Sequence, residues 1–366
     1  MSHPGAHVAL LTPRFWPEVR RGTERAVRDL ADGLLEAGHR VTVITSHQGV
    51  RTRASVDDGL QVIRVPRVAD QRLERRTGRR HLGHLPGASL ALRRLGPDIA
   101  HAFYPSDGLV AARWSQRTRR PAVLSVMGIP STADPEPMQA TLRAAVGGAA
   151  AVTALSEPAA EGVAQVTGRA PRIVPPGVRL ASFPVGDGRT VVPTVLCPAD
   201  PGEPRKRVGL LLEAARIARA EIGDLQVLVS RPRDRGQAQA LVAQGGEPVD
   251  LDDRAALAAA YGRAWLTVLP SVQEAFGLVL AESLACGTPV VATDDGGMRA
   301  IVDRPAVGRL FDGGAEALAA AITEVLALAA APGTREACRA RASELSAGRS
   351  TEQVRALYGE LLVRPG

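Results

Sequence analysis

The segment 270–291 reads Pro270-Ser271-Val272-Gln273-Glu274-Ala275-Phe276-Gly277-Leu278-Val279-Leu280-Ala281-Glu282-Ser283-Leu284-Ala285-Cys286-Gly287-Thr288-Pro289-Val290-Val291. The apolar run 265–269 before it reads as a strand, and 290–293 reads as another, rich in β-branched residues. Between them lies a short loop carrying one carboxylate, Glu274, and then a stretch that predicts a helix over 276–285. A second carboxylate, Glu282, follows the first by eight residues. The free amides at that helix start, near Leu278 and Val279, carry partial positive charge and form a ready site for a phosphate.

Working outward, the same sentence recurs. Residues 8–11 form a short apolar run, a loop with Pro13, Pro17 and Gly22 follows, and Ala26, Leu30, Leu34 and Leu35 set a helical period over 23–37. Gly38 is a stop signal, and 41–45 is the next strand. A second opening begins at the strand 195–197, passes a polar loop with Pro201, Gly202 and Pro204, and continues as a helix over 208–220 and a strand over 225–229. Strand, helix, strand units build parallel sheets. The fold class is therefore α/β, with two Rossmann-like domains. The expected division is 1–185, 186–345, and a terminal helix within 346–366 that returns to the first domain. The stretch 175–193 reads as a linker, and 344–363 and 315–331 as helices.

Composition narrows the classes. The chain has 366 residues, 45% of them apolar, which suits two ordinary domains. No apolar run approaches the roughly 18 residues of a membrane span. Nothing near Met1 reads as a signal peptide, so the expected address is cytoplasmic. Cys197, Cys286 and Cys338 match neither a disulfide framework nor a zinc spacing. The formal charge is +7, but aromatics are only 3% and the arginines are scattered, which argues against nucleic acid. One basic run stands out: Arg72, Arg75, Arg76, Arg79, Arg80 and His81. It reads either as a solvated helix face or as a dock for anionic lipid or an anionic acceptor, at the inner face of a membrane. Among 45 basic residues only Lys206 is a lysine, and asparagine is absent. A lysine that survives such a bias reads as a required point charge, with chance placement as the bland alternative.

The Glu-X7-Glu pair within Pro-Ser-x-x-Glu-Ala-Phe-Gly resembles the retaining glycosyltransferases of family 4, which have the two-domain GT-B architecture with a cleft between the domains. The likeness extends over most of the chain. It includes the glycine loop 17–25, Gly38-His39-Arg40-Val41, the acidic-histidine strand Pro97-Asp98-Ile99-Ala100-His101, Pro175-Pro176-Gly177, and Gly308-Arg309-Leu310-Phe311. The resemblance implies a nucleotide-diphosphate sugar as donor, with no separate cofactor. The acceptor would be a small molecule, a lipid or a glycan. It further implies that Glu274 binds the ring hydroxyls of the donor sugar, Glu282 the ribose, and Arg205 and Lys206 the diphosphate. Gly22 would let its loop approach the phosphate, and Phe276, Gly277, Leu278 and Val279 would form the phosphate-facing helix start. His101 reads more simply as a satisfied buried histidine. No metal clamp is expected. Asp250-Leu251-Asp252 has the spelling of one, but hard cations need several converging oxygens.

The chain departs from the family pattern at four places. Arg21 replaces the first glycine of the loop, Pro198-Ala199-Asp200 stands where a Gly-Arg pair belongs, and Ala300 beside Arg299 replaces a glutamate. Met127 replaces a histidine that commonly meets a hexose 6-hydroxyl. A thioether offers no hydrogen-bond donor, so Met127 predicts a 6-deoxyhexose or pentose donor, as in specialised-metabolite or cell-surface pathways, unless it merely fills space. The rival readings are a catalytically inactive binding protein of the same fold and a nucleotide-sugar 2-epimerase.

Overall fold

The computed structural model describes residues 5–16, 18–19, 22–68 and 70–363. Pro17 and Arg21 of the expected glycine loop lie outside the described residues. The chain divides into two units, Met1–Pro176 with Ala347–Gly366, and Gly177–Ser346. The break thus falls at Pro176, before the expected boundary at 185.

In the first unit, β1 (His7–Leu11), β2 (Arg40–His47), β3 (Arg53–Asp57), β4 (Leu60–Pro66), β5 (Ile99–Ala102), β6 (Ala122–Val126), β7 (Ala151–Ala154) and β8 (Arg172–Ile173) lie in the order β3-β4-β2-β1-β5-β6-β7-β8. All pairs are parallel except β3 with β4. Val8 and Leu10 of β1 face one apolar cluster, Ala9 and Leu11 another. A strand covered on both faces needs no polar alternation, which is why 8–11 reads as an unbroken apolar run. The helix Gly22–Glu36 covers one face through Val27, Leu30 and Leu34.

The helix Ala347–Val363 packs on that same face, with Val354, Leu357 and Tyr358 in the same cluster. Its start lies three residues past the expected 344. A Cβ on Gly33 would come within 2.4 Å of Thr351 Oγ1, so this glycine permits the close approach of the two helices. Burying side chains such as Val354 and Leu357 stabilises by roughly 1.5–3 kcal/mol each. Tyr358 Oη lies 2.6 Å from His101 Nδ1, His101 Nε2 lies 2.7 Å from Ser125 Oγ, and Ser125 Oγ lies 2.6 Å from Thr153 Oγ1. Full burial pushes the His101 pKa down to about 3, so the imidazole is neutral and uses both nitrogens in this chain of hydrogen bonds.

In the second unit, β9 (Thr194–Cys197), β10 (Gln226–Ser230), β11 (Glu247–Val249), β12 (Leu266–Leu269), β13 (Val290–Thr293) and β14 (Gly308–Phe311) form a parallel sheet in the order β11-β10-β9-β12-β13-β14. From β9 the chain winds to one side, then returns to the other at β12. That reversal makes a switch point between β9 and β12, where ligands of open parallel sheets bind at the carboxyl ends of the strands. The stretch expected as a linker is instead stitched onto this unit. Phe183 is buried and meets Tyr261 edge-on at 6.1 Å, and Arg339 donates 2.6 Å bonds to the carbonyls of Phe183 and Ala285. The apolar Phe183 has found a core, which proline and glycine counts do not foresee.

The cysteines are free and buried, and burial pushes each thiol up to about 12. They are inert as nucleophiles. Among the described residues no single helix is long and apolar enough to cross a membrane.

Candidate functional site

Two segments meet at the β9/β12 switch point. The first follows β9: a short 3-10 turn, Pro204–Lys206, leads through Arg207 into the helix Val208–Ile222. The second follows β12: Pro270 and Ser271 open the loop, Glu274 lies in it, and the helix Leu278–Ala285 closes it. That helix begins at Leu278 rather than at the expected 276. Gly277 has φ +89°, a backbone conformation that costs a side-chain-bearing residue and suits glycine.

Lys206 Nζ lies 2.9 Å and 3.2 Å from the two oxygens of Glu274, and Arg205 Nη1 lies 2.8 Å from Glu274 Oε2. Lys206 and Glu274 are mostly buried, with side chains 14% and 17% exposed, whereas Arg205 is 42% exposed. One carboxylate thus gathers two cations. Arg205 also pairs with Glu203 at 3.2 Å.

The glutamate loop is held from several sides. Val272 N–H donates to Arg205 O at 3.0 Å, and Gln273 N–H to Asp295 Oδ2 at 2.5 Å. Gly297 N–H donates to Glu274 O at 2.8 Å. A Cβ on Gly296 would meet Glu274 O at 2.3 Å, and one on Gly297 would meet Ala275 O at 2.2 Å. Only glycines allow the 3-10 turn Gly296–Ala300 to press on the loop so closely.

The structure places Phe276 and Leu278 as buried side chains, so these two can meet a ligand only through backbone. Val279 is half-buried. The first turn of the helix has no side-chain cap among the described residues, which leaves the amides of Leu278 and Val279 available to an anion. Glu282 is 2% exposed and accepts a 3.1 Å bond from Tyr261 Oη. A buried carboxylate needs such a partner, and the tyrosine supplies it.

Gly22 and Met127 lie in the first unit. Gly22 is the first residue of its helix, and a Cβ there would meet nothing within 4 Å. Met127 follows β6 and packs, half-buried, against the cluster that contains Phe103. Asp250 and Asp252 form a local turn, with Asp252 N–H donating to Asp250 Oδ1 at 3.0 Å. Arg72, Arg75, Arg76, Arg79 and Arg80 are exposed on or just after the helix Asp70–Thr77, which buries none of its residues. Sequence reasoning missed Tyr261 and Asp295 altogether.

Each half of the chain matches a family description: residues 20–182 match "Glycosyltransferase Family 4" and residues 192–327 match "Glycosyl transferases group 1". The chain is a glycosyltransferase of the GT-B fold. Among curated relatives, the transferase is 37% identical over 187 residues to a D-inositol 3-phosphate glycosyltransferase of Geodermatophilus obscurus, covering 42% of this chain and 40% of that one. It is 29% identical over 365 residues to the enzyme of the same name from Jonesia denitrificans, covering 85% of each. The match thus spans less than half the length of the first relative and most of the second. Among solved structures, the transferase resembles sucrose-phosphate synthase from Thermosynechococcus elongatus with TM-score 0.79 and 23% identity, over 97% of this chain and 99% of that one. Anabaena HepE in complex with UDP and glucose gives TM-score 0.74 and 17% identity, over 97% and 100%. At those identities the likeness speaks for the fold.

Proposed function

We propose that this glycosyltransferase moves a hexosyl or deoxyhexosyl group from a nucleoside-diphosphate sugar to an acceptor hydroxyl, without a metal and with retention of configuration. The observation that carries this reading is the convergence of Glu274, Lys206 and Arg205 at the switch point, beside an uncapped helix start. The diphosphate takes the two cations and the amides of Leu278 and Val279. Glu274, released from its ion pairs, accepts hydrogen bonds from the sugar ring hydroxyls. Glu282, steadied by Tyr261, serves the ribose. The bond from the anomeric carbon to the diphosphate oxygen breaks, and its electron pair stays on the departing diphosphate. The acceptor oxygen bonds to the anomeric carbon on the same face, and the acceptor proton passes to the departing oxygen. Positioned cations and amides lower the barrier by neutralising the charge that develops there, an effect of about 3–4 kcal/mol for each well-placed donor.

The acceptor falls to the first unit. Its carboxyl edge carries His81 and Tyr104, whose rings meet at 5.3 Å, with the charges of Arg14 and Asp107 acting on both. The acceptor is an anionic small molecule, a lipid head group or a glycan, and the inositol phosphate in the relatives' names favours the first. Met127, which cannot donate to a 6-hydroxyl, favours a 6-deoxy donor.

A panel of nucleoside-diphosphate sugars, matched with and without the 6-hydroxyl, tests the reading. Binding raises thermal stability, and transfer or slow donor hydrolysis follows by chromatography. A shift with no turnover would instead support an inactive binding protein, the second reading favoured by the self-paired Glu274. Inversion of the donor sugar at C2 would support an epimerase. A preference for hydroxylated donors would remove the deoxysugar assignment.

A further inference from the structure

The basic turn after β9 holds a third cation that neither the diphosphate nor the sugar claims. Arg207 adopts φ +47° and ψ +39°, the left-handed region that residues with a Cβ avoid. Its guanidinium reaches across the carboxyl edge of the sheet. Nε donates to Pro270 O at 2.6 Å, at the end of β12. Nη2 donates to Thr293 Oγ1 at 2.8 Å, at the end of β13. The same guanidinium stands 6.0 Å from the ring centroid of Phe311, at the end of β14. One side chain from the β9 turn thus ties the ends of the next three strands in the sheet. Pro270 is the first residue of the glutamate loop, and Lys206 immediately precedes Arg207 in the chain. The staple therefore fixes the two backbones whose separation decides whether Lys206 and Glu274 meet.

We propose that Arg207 is a positioning residue for donor chemistry: it sets the geometry of Lys206 against Glu274 without touching the donor. The proposal rests on the reading of those two groups as donor-binding. A lysine cannot replace it, because two acceptors in different directions need the planar fork of a guanidinium. The left-handed backbone is a useful handle. Glycine adopts it freely, so Arg207→Gly removes the staple while easing the backbone.

In Arg207→Gly, hydrogen exchange should quicken at the amides of 271–277 and 293–297 and remain unchanged in β9 and β10. Transfer kcat should fall about tenfold or more, since an ångström of misplacement is enough for such a loss, while KM for the donor changes little. Arg207→Lys should recover only part of kcat. Thr293→Val should act in the same direction more weakly, and the double variant should be no worse than Arg207→Gly alone, because both changes break one device. Unchanged exchange in 271–277, or an unchanged kcat for the folded variant, would overturn the proposal. If Arg207→Gly does not fold, Thr293→Val carries the same two readouts. If the parent protein turns over no donor, the exchange result still decides the role of Arg207, and only the donor reading fails.

Discussion

The residues expected to meet ligand at the carboxyl edges of the two sheets are held differently. In the second unit the edge is fixed by contacts internal to the protein: backbone bonds at Val272 and Gln273, a carbonyl at Glu274 that accepts from Gly297, and glycines whose missing side chains let one loop lie on another. In the first unit, Gly22 faces open space and the arginines of 72–80 face solvent. The polar device of that unit lies inside the sheet instead, in the Tyr358–His101–Ser125–Thr153 chain. The two units should therefore fail in different ways when altered.

The largest effect belongs to Glu274→Gln. Transfer should drop by about 100- to 1,000-fold, the size seen when one oriented transition-state contact is lost. The free nucleoside diphosphate should bind more tightly than to the parent, because Lys206 and Arg205 no longer share a carboxylate. Calorimetry with the diphosphate checks this, and weaker binding by the variant would show that the ion pairs do not compete with the ligand. Next comes a matched pair of glycine changes. Gly297→Ala forces a Cβ against Ala275 O and should destabilise the second unit by about 1–3 kcal/mol, as overpacking does. Gly22→Ala should leave the melting temperature unchanged, since space is open there, and any loss of activity then reports a ligand approaching that backbone. Equal loss of stability in both would erase the contrast between the edges.

A smaller effect, on stability alone, is expected from His101. Its folded pKa lies below its unfolded value of about 6.5, so the unfolded state binds the extra proton as pH falls. Stability should decline by about 1.4 kcal/mol per pH unit below roughly pH 6, continuing towards the folded value of about 3. His101→Gln should remove this share of the slope, read by denaturant titration at several pH values. A slope unchanged in the variant would show that the imidazole is not the group responsible. A last effect, confined to membrane binding and absent from transfer and stability, is expected at the exposed arginines. Replacing Arg75, Arg76, Arg79 and Arg80 by Ser should reduce sedimentation with anionic vesicles at low salt by about 1 kcal/mol per charge near the surface. No binding by the parent would leave those arginines as a solvated face.

How much of this was legible depends on what each residue answers to. The α/β pattern, the helix before Gly38 and the strand 290–293 were readable because apolar period and β-branching are local signals. The Glu274 loop was readable because Pro-Ser-x-x-Glu-Ala-Phe-Gly followed by Glu282 resembles a known family; a bare pair of glutamates eight apart carries no such signal. The pairing of Lys206 and Arg205 onto Glu274 was not, since it joins residues 68 and 69 positions apart, and a sequence shows charges without their partners. Tyr261 carries no signal of its own in the sequence, and its hydroxyl gains meaning only beside Glu282. The packing of 177–185 on the second unit was hidden for a similar reason: Phe183 looks isolated until Tyr261 is placed beside it.

The helix Ala347–Val363 bears on the order in which the molecule is made. The first sheet needs Tyr358 for its buried histidine and Val354 and Leu357 for one apolar face, yet residues 177–346 are synthesised in between. The second unit is continuous in the chain and can close on itself as it leaves the ribosome. The first unit begins earlier and must wait with one face of its sheet uncovered. Domains made at the amino end ordinarily fold first during synthesis; here the amino-terminal unit is the one completed last.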